Sequence, residues 1–254
     1  MFMPFELTIV TVCRNAAGTI DDTLRSVAEQ KIAGVEYIVV DGASTDETLE
    51  RVHTFNAIVD HIVSEPDTGL YDAMNKGAAL AQGKYVCYLN ADDTLLPGAI
   101  EVLLRHTREH AEVVLFYGDW LGADPAGVVR HRTASSELGW RYRLCHQSMA
   151  VRRDLLGTQP FDLRYRICAD FDAILRWLKD GGRSMHIPQP LVKFSESGVS
   201  NTAVRVACKE SVVIAFRRLG LLRAWRFCTM TLLHGVRSGF RTGLTHVFSF
   251  RRCR

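Results

Sequence analysis

The chain has 254 residues, of which 47% are hydrophobic and 23% are charged, and its formal net charge is +3. These values are ordinary for a globular protein and argue against a disordered or fibrous chain. Its seven cysteines include no Cys-x-x-Cys pair, which argues against a zinc ribbon or a dithiol redox site and is typical of a reducing cytosol. The sequence lacks the run of about eighteen apolar residues that a membrane-spanning helix needs, and its amino end is typical of a strand rather than a signal peptide.

The first half of the chain alternates β-branched apolar runs with amphipathic segments of helical period. The apolar runs predict strands at 7–12, 35–40, 57–63 and 84–89, and the amphipathic segments predict helices at about 20–28, 44–55 and 70–81. A capping box at Ser44 and Glu47 marks the start of the second helix. Such alternation forms right-handed crossovers, so we expect an α/β fold with a mostly parallel central sheet flanked by helices.

The second half is less regular. Strands are predicted at 113–117, 128–132, 184–187 and 191–194, and a helical stripe covers 171–178. From Leu221 onward the chain is amphipathic if it is helical, so we expect a C-terminal helical tail.

Three polar clusters follow the predicted strands, at 13–15, 41–44 and 90–93. Because ligands of parallel sheets lie beyond the carboxyl ends of the strands, these clusters predict one binding cleft. Asp92 and Asp93 point to opposite faces of an extended chain, so one carboxylate can meet a cation while the other meets a hydroxyl or a backbone group. The alternative is a turn in which both acids cap the helix near Pro97.

Three further aspartates have two interpretations each. Asp41 suits an acceptor for a nucleotide base or ribose, or an Asx turn. Asp67 lies before a helix whose free N–H groups favour an anion, although a solvated polar face is the commoner explanation. Asp170 is either a helix cap or a general base, and Asp172, about 200° around the helix, cannot share its pocket. His146 is interpreted as a strand histidine without direct chemistry.

Several ordered motifs resemble those of the family 2 glycosyltransferases, over roughly residues 6–195. They are Thr8-Ile-Val-Thr-Val-Cys-Arg-Asn15, Val40-Asp-Gly-Ala-Ser-Thr-Asp46, Asp67-Thr-Gly-Leu-Tyr-Asp-Ala-Met-Asn-Lys-Gly77, Ala81-Gln-Gly83 and Leu89-Asn-Ala-Asp-Asp93. The later His146-Gln147 and Ala169-Asp-Phe-Asp172 resemble a bacterial branch that builds surface polysaccharides. The order and spacing of these motifs make the resemblance more specific than any single motif.

The resemblance implies a GT-A fold, a nucleotide-diphosphate sugar donor, a Mn²⁺ or Mg²⁺ ion and inversion at the anomeric carbon. The residues implied to bind the donor are Thr11, Asn15, Asp41, Asp67 and Asp92. Among them Asp41 matches the contact to the base, and Asp92 the acid near ribose and metal. Asp93 matches the principal metal ligand and Asp170 the catalytic base. Asn90 departs from the family, in which many members carry an aspartate, and this leaves the roles of Asp92 and Asp93 open.

The resemblance also predicts a domain division and an acceptor. Residues 1–203 form the catalytic domain, with a nucleotide-sugar half at about 1–118 and an acceptor half at 119–203, and 204–254 form the tail. The Gln-x-x-Arg-Trp signature of processive synthases is missing, which favours addition of single sugars, to a lipid-linked saccharide. The close alternative is transfer to polyprenyl phosphate. The absence of Gly-x-Gly-x-x-Gly and Gly-x-x-x-x-Gly-Lys motifs argues against dinucleotide-dependent oxidoreductases and phosphate-loop enzymes.

The charge is distributed unevenly along the chain. Residues 205–254 carry eleven basic side chains and one acid, Glu210, which leaves the first 204 residues with a net charge of −7. In a helix, Leu221 and Trp225 share one face with Cys228, Leu232 and Val236, and a second face gathers Arg223, Arg226, Arg237 and Arg241. We expect this tail to bind an anionic membrane surface, on the cytoplasmic side, and not nucleic acid. The alternatives are a helix packed on the domain and a membrane-binding protein without catalysis.

Overall fold

The computed structural model describes residues 5–136, 143–179, 182–196 and 204–238, and the side chains of the last helix through residue 229. The strands are β1 (Leu7–Cys13), β2 (Val35–Asp41), β3 (His61–Ser64), β4 (Tyr85–Asn90), β5 (Thr94–Leu95), β6 (Val113–Ala123), β7 (Val129–Arg132), β8 (Met149–Arg152) and β9 (Arg183–Ser195). The helices are α1 (Ile20–Ala28), α2 (Thr48–His53), α3 (Leu70–Leu80), α4 (Ala99–Glu109), α5 (Ala169–Trp177), α6 (Val204–Leu219) and α7 (Leu221–Ser238). Two 3₁₀ turns, His146–Ser148 and Arg153–Leu155, flank β8.

The first half of the sheet is parallel, in the order β3-β2-β1-β4. Every residue of β1 and β2 is buried, as expected for strands covered by helices on both faces. In register, Cys13 lies beside Asp41, and Val12 lies beside Asn90. The carboxyl ends of β1, β2 and β4 therefore meet at one edge of the sheet, and the binding cleft expected there stays a prediction.

The second half makes the sheet mixed. Strand β8 pairs antiparallel with β4 and β6, and β6 pairs parallel with β9 and antiparallel with β7. The two predicted strands at 184–187 and 191–194 are one strand, β9, whose register against β6 shifts near Asp119. The short β5 pairs with the end of β9, so the second half of the chain reaches the loop that carries Asp92 and Asp93.

Two local predictions were wrong. Helix α2 begins at Thr48 without a capping side chain, and the Ser44 hydroxyl instead donates to the Asp41 carboxylate. Strand β3 begins only at His61, because Ile58 and Val59 donate back to the Phe55 carbonyl and form a turn. In both places a short-range hydrogen bond competes with the regular element.

Helices α6 and α7 pack against α5. The buried residues of α6 include Ala207, Ile214 and Ala215, and the Phe227 ring of α7 stacks on Phe171 at 5.5 Å. These contacts join the tail to the main core. Residue 203, at which the domain boundary was predicted, lies outside the described residues. Among the residues whose placement is described, no helix combines the length and apolar character needed to cross a membrane.

Candidate active site

The loops after β1 and β2 are clamped together by side-chain hydrogen bonds. The Asn15 carboxamide oxygen accepts from the Thr45 amide at 2.8 Å, and the Asn15 amide donates to Ser44 Oγ at 2.8 Å. Asn15 and Ala43 both adopt left-handed backbone, with φ of 49° and 55°. Asparagine tolerates this conformation, but it is costly for alanine, and such strain concentrates at functional sites. Asn15 is exposed at the edge of the cleft, where a donor was predicted to bind.

Asp41 is fully buried beneath this loop pair. Its Oδ2 accepts from the Ser44 amide at 3.0 Å and from the Ser64 hydroxyl at 2.7 Å, and its Oδ1 accepts from the Ser44 hydroxyl. With three donors on its two oxygens, the Asp41 carboxylate fixes the conformation of the loop that follows β2. The described geometry shows Asp41 shaping the cleft floor, and its predicted contact to a nucleotide base stays a prediction.

Thr11 is not brought to the cleft. Its side chain is fully buried, and its hydroxyl lies 3.0 Å from the Tyr37 hydroxyl, inside the core between β1 and β2. The predicted donor contact through this side chain is therefore corrected to a core role. The reason is that both faces of β1 are covered, so every residue of the strand lies inside the protein whichever face it is on.

Asp67 faces the loop after β2. Its Oδ1 accepts from the Gly69 amide at 2.9 Å, and its Oδ2 lies against Gly42 so closely that a Cβ added at Gly42 would collide with it. The same Cβ would lie 3.3 Å from the Cδ atom of Arg14. Gly42 thus lets Asp67 and Arg14 approach one point at the ends of β1 and β2, beside the start of α3.

Asp92 and Asp93 follow β4 and have opposite environments. Asp92 is exposed at the cleft, yet surrounding protein removes enough water from its carboxylate to raise its pKa above the usual 3.8. Asp93 is 1% exposed, and its oxygens accept from the Ser195 amide at 2.8 Å and the Gln147 amide nitrogen at 2.9 Å. Burial and the neighbouring charge of Asp92 raise the pKa of Asp93 well above 3.8. Helix α4 begins at Ala99, and its N-cap residue is Gly98, which has no side chain to cap it, so neither acid is the N-cap.

Asp93 is turned inward, and each of its oxygens accepts one hydrogen bond inside the protein. Its role as the principal metal ligand stays a prediction. Asp92 is the exposed carboxylate of the two. The buried Oδ1 of Asn90, two residues before Asp92, has no hydrogen-bond partner among the described residues. No group of three or more Asp, Glu, His or Cys side chains within the described ranges is placed to enclose a metal. One or two carboxylates together with substrate phosphates are enough to hold Mg²⁺ in proteins.

Asp170 lies in the first turn of α5, two residues after the N-cap residue Cys168. Its Oδ1 accepts from the Phe171 amide at 2.8 Å and lies 3.1 Å from the Tyr71 hydroxyl of α3. Its Oδ2 lies 3.1 Å from His146 Nδ1. His146 is also near enough to Asp92 for a charge on its ring to lower the pKa of that carboxyl. The structure thus brings Asp170 and Asp92 to one cleft, with His146 between them.

Glu210 holds the loop that leads into α5. Its carboxylate accepts from the amides of Arg166, Ile167 and Cys168 at 2.8, 3.0 and 2.9 Å. Cys168 is the N-cap residue of α5, and its side chain makes no capping hydrogen bond. Asp170 lies inside the helix, past the N-cap position, so it is not the N-cap residue. On the far side of α5, fully buried Asp172 is paired with Arg176 and Arg218.

Four residues of this site were missed from the sequence. His146 was given no chemical role, and no role was assigned to Tyr71, Gln147 or Glu210. The signals were present: the first three lie in the quoted motifs, and Glu210 is the only acid among the last fifty residues. Their contacts join segments far apart in the chain, which a sequence pattern does not reveal.

Comparisons with known proteins agree with this architecture. The model of the glycosyl transferase family 2 matches residues 8–158. A PGL/p-HBAD biosynthesis glycosyltransferase of Mycobacterium bovis (strain BCG) is 34% identical over 209 residues, which are 79% of this chain and 80% of that protein. The putative teichuronic acid biosynthesis glycosyltransferase TuaG of Bacillus subtilis is 33% identical over 115 residues, 44% of this chain and 46% of TuaG.

Solved structures share the fold at low sequence identity. TarS of S. aureus in complex with UDP has a TM-score of 0.69 at 17% identity, over 93% of this chain and 74% of that one. The mannosyltransferase PcManGT of Pyrobaculum calidifontis, in complex with GDP-Man and Mn²⁺, has a TM-score of 0.66 at 16% identity, over 94% and 78% of the two chains. Fold and site together define an α/β glycosyltransferase of the GT-A type. The chain belongs to glycosyltransferase family 2, as its motifs predicted.

Proposed function

We propose that this glycosyltransferase inverts the anomeric carbon of a nucleotide-diphosphate sugar and transfers that single sugar to a hydroxyl of a lipid-linked saccharide. One observation carries the proposal: the Asp170 carboxylate, 26% exposed, faces the same cleft as exposed Asp92, while the neighbours Asp172 and Asp93 are buried and engaged. A single in-line displacement requires a base, and a second carboxylate that can hold a cation would serve the leaving diphosphate.

In this reaction Asp170 accepts the proton of the attacking hydroxyl. The hydroxyl oxygen forms a bond to the anomeric carbon, and the bond to the diphosphate oxygen breaks with its electron pair on the nucleoside diphosphate. Arg14, Asn15 and Asp67 line the nucleotide end, at the carboxyl ends of β1 and β2. Asp92 would hold Mn²⁺ or Mg²⁺ in the cleft. The ion would neutralise the charge that accumulates on the leaving nucleoside diphosphate.

Relatives support the donor and the process. TarS and PcManGT were solved with UDP and with GDP-Man and Mn²⁺, which supports a nucleotide-sugar and a divalent ion here. The relatives named for PGL/p-HBAD and teichuronic acid biosynthesis support a role in bacterial glycan assembly.

The decisive experiment is a transfer assay on the full chain. UDP-, GDP- and dTDP-sugars are first screened by thermal shift with Mn²⁺, because a ligand of the folded state raises its apparent stability. The best donor is then offered to a lipid-linked saccharide and to polyprenyl phosphate, and the product anomer is read by NMR. We expect inverted product on the saccharide and loss of turnover in EDTA. Product on polyprenyl phosphate alone would identify the rival synthase, and donor binding without turnover on either acceptor would contradict the proposal.

We also propose that α6 and α7 dock the enzyme on an anionic membrane. Helix α7 touches the domain through Ala224 and Phe227, which are buried, whereas Leu221, Leu222 and Trp225 are 79%, 75% and 64% exposed. Two members of the apolar face predicted from the sequence, Leu221 and Trp225, are therefore exposed, whereas a third, Cys228, is partly buried against the core. On α6, exposed Val212, Val213 and Phe216 alternate with exposed basic residues, Arg205, Lys209 and Arg217.

An exposed surface of aromatic and aliphatic side chains with basic neighbours fits a lipid interface of negative charge. Each basic residue near such a surface contributes about 1 kcal/mol. The remaining predicted members, Leu232, Val236, Arg237 and Arg241, have side chains outside the described residues.

Sedimentation with vesicles tests this docking. The full chain should sediment with phosphatidylserine-containing vesicles and be partly released by high salt. Leu221→Ser with Trp225→Ser should reduce the bound fraction, whereas Ile32→Ser, which removes a 51% exposed apolar side chain elsewhere, should not. Equal sedimentation of the double variant and the wild type would contradict the docking face without touching the catalytic proposal.

A further inference from the structure

The 3₁₀ turn His146–Ser148 contacts both chemical ends of the cleft. His146 Nδ1 lies 3.1 Å from Asp170 Oδ2, and Gln147 donates to Asp93 at 2.9 Å. The turn itself is held firmly: Ser148 Oγ donates to the Gly118 carbonyl at 2.9 Å, and the Cys87 thiol points to the Gln147 carbonyl. The His146 ring is thus fixed against β4 and β6, with 14% of its side chain exposed.

The surroundings of the ring decide which nitrogen of the neutral imidazole carries the proton. Nε2 is buried and has no hydrogen-bond partner in the described protein. A buried N–H without an acceptor is costly, whereas an Nδ1–H would meet the Asp170 carboxylate. The neutral ring therefore carries its proton on Nδ1 and donates it to Asp170 Oδ2.

The two oxygens of Asp170 are consequently unequal. Oδ1 accepts from the Phe171 amide and lies within reach of the Tyr71 hydroxyl. Burial and the charge of Asp170 raise the pKa of Tyr71 well above its usual range, so that hydroxyl keeps its proton. Among the described residues, Oδ2 has one hydrogen-bond partner, His146 Nδ1 at 3.1 Å, and its second lone pair is left for a ligand.

We propose that His146 is a positioning residue, whose Nδ1–H orients Asp170 so that Oδ2 takes the proton of the acceptor hydroxyl. The proposal rests on the role of Asp170 as the base. His146 neither gains nor loses a proton in the step: the proton passes from the acceptor oxygen to Oδ2, that oxygen bonds to the anomeric carbon, and the diphosphate leaves with the electron pair. A misplacement of about 1 Å at a reacting group can reduce a rate about 10²-fold, so the contact is large enough to matter.

A pair of amide variants separates this role from its rivals. His146→Asn places an amide N–H near the position of Nδ1, and His146→Gln places one near the position of Nε2. With the donor identified above, we expect His146→Asn to keep the transfer kcat within about tenfold of wild type and His146→Gln and His146→Ala to lose about 10²-fold. The donor Kd and the thermal midpoint should be the same in the Asn and Gln variants.

The control is a histidine–aspartate contact outside the cleft. His131 Nε2 lies 2.9 Å from the buried Asp119 carboxylate, and His131→Ala should leave the transfer kcat unchanged. Activity in the Gln variant and loss in the Asn variant would overturn the proposal and indicate a ligand at Nε2. If both amide variants lost the same share of transfer kcat, in proportion to a fall in their thermal midpoints, the proposal would be overturned in favour of a structural role for His146.

The outcomes also separate this inference from the proposed function. An active wild type, an inactive Asp170→Asn and a fully active His146→Ala would overturn the role of His146 alone. A fully active Asp170→Asn would overturn the base itself. If His146→Ala does not fold, the role of His146 is decided by His146→Asn and His146→Gln. Their transfer kcat values are then divided by the fraction of each protein that binds donor.

Discussion

The end of β4 and the start of α5 each carry two aspartates, and in each region one faces the cleft and the other is buried. Asp92 is exposed, and Asp93 is buried among neutral donors, Gln147 and the Ser195 amide. Asp170 faces the cleft, and Asp172 is buried between two arginines. The same arrangement thus arises on a strand end, through alternation of side chains, and on a helix, through the turn of about 100° per residue.

The difference lies in how the buried member is compensated. Two guanidinium groups balance the charge of Asp172, and Arg218 also joins α6 to α5. Asp93 has no cationic neighbour among its hydrogen-bond partners, and its pKa is raised well above 3.8. Burial of the Asp93 carboxylate without a cation, together with the nearby charge of Asp92, disfavours its ionised form, which is why its pKa is raised.

The largest effect should come from Asp170→Asn. Removal of a general base costs about 10²–10⁴-fold in rate, because the amide cannot accept the hydroxyl proton. Transfer kinetics and donor binding should be measured together, and donor Kd should stay near wild type. The matched variant Asp172→Asn, two residues away, should keep its turnover per folded molecule. Reversed results for the two variants would exchange the roles of the two acids.

Asp172→Ala should mainly lower the free energy of unfolding. Removing one partner of a buried ion pair costs about 3–5 kcal/mol, and the loss should fall toward the lower value because Arg176 and Arg218 keep 30% and 21% of their side chains exposed. Urea unfolding measures the change. A loss of less than about 1 kcal/mol in the free energy of unfolding, which is typical of surface ion pairs, would show that water solvates the two arginines once the carboxylate is removed.

Metal binding at Asp92 should weaken in acid. Burial raises the pKa of Asp92 above 3.8, so protons compete with the metal at a higher pH than for an ordinary aspartate. Below that pKa each pH unit should weaken Mn²⁺ binding about tenfold, as for any single-proton competition. A thermal-shift titration with Mn²⁺ and a nucleoside diphosphate measures the effect. In Asp92→Asn, the part of the pH dependence of Mn²⁺ binding that comes from this carboxyl should be absent. A pH profile shared by wild type and variant would remove Asp92 from the metal site.

The smallest effect should be the change in the free energy of unfolding that Asp93→Asn causes when no metal is added. A carboxyl whose pKa is raised in the folded state holds more protons there than in the unfolded chain, so stability falls as pH rises from about 3.8 through the folded pKa. Asp93→Asn has no carboxyl to titrate at this position, so its stability should not fall in this way. Each unit by which the pKa is raised in the folded state corresponds to about 1.4 kcal/mol in the free energy of unfolding. The wild type should therefore lose stability relative to Asp93→Asn as pH rises. A difference that is constant with pH would contradict the raised pKa.

The domain boundary stays a prediction that the contacts lead us to revise. Glu210 holds the loop that leads into α5 and Arg218 pairs with Asp172, so we propose that α6 belongs to the catalytic core and that a chain ending near residue 203 would lose support for Asp170. The charge pattern of the sequence groups all basic residues after 204 into one tail. It missed that the single acid among them has an internal partner.

The sequence by itself determined the parallel half of the sheet, the family and the strand ends that form the cleft, because apolar period and motif spacing are local and ordered. It also located Asp92 and Asp170. Only the tertiary structure decided that Asp93 and Thr11 point inward and that Leu221 and Trp225 of α7 stay exposed. These outcomes depend on contacts between separate elements, such as Asp93 with Ser195 and Phe227 with Phe171, which follow from sheet pairing and packing rather than from any local pattern.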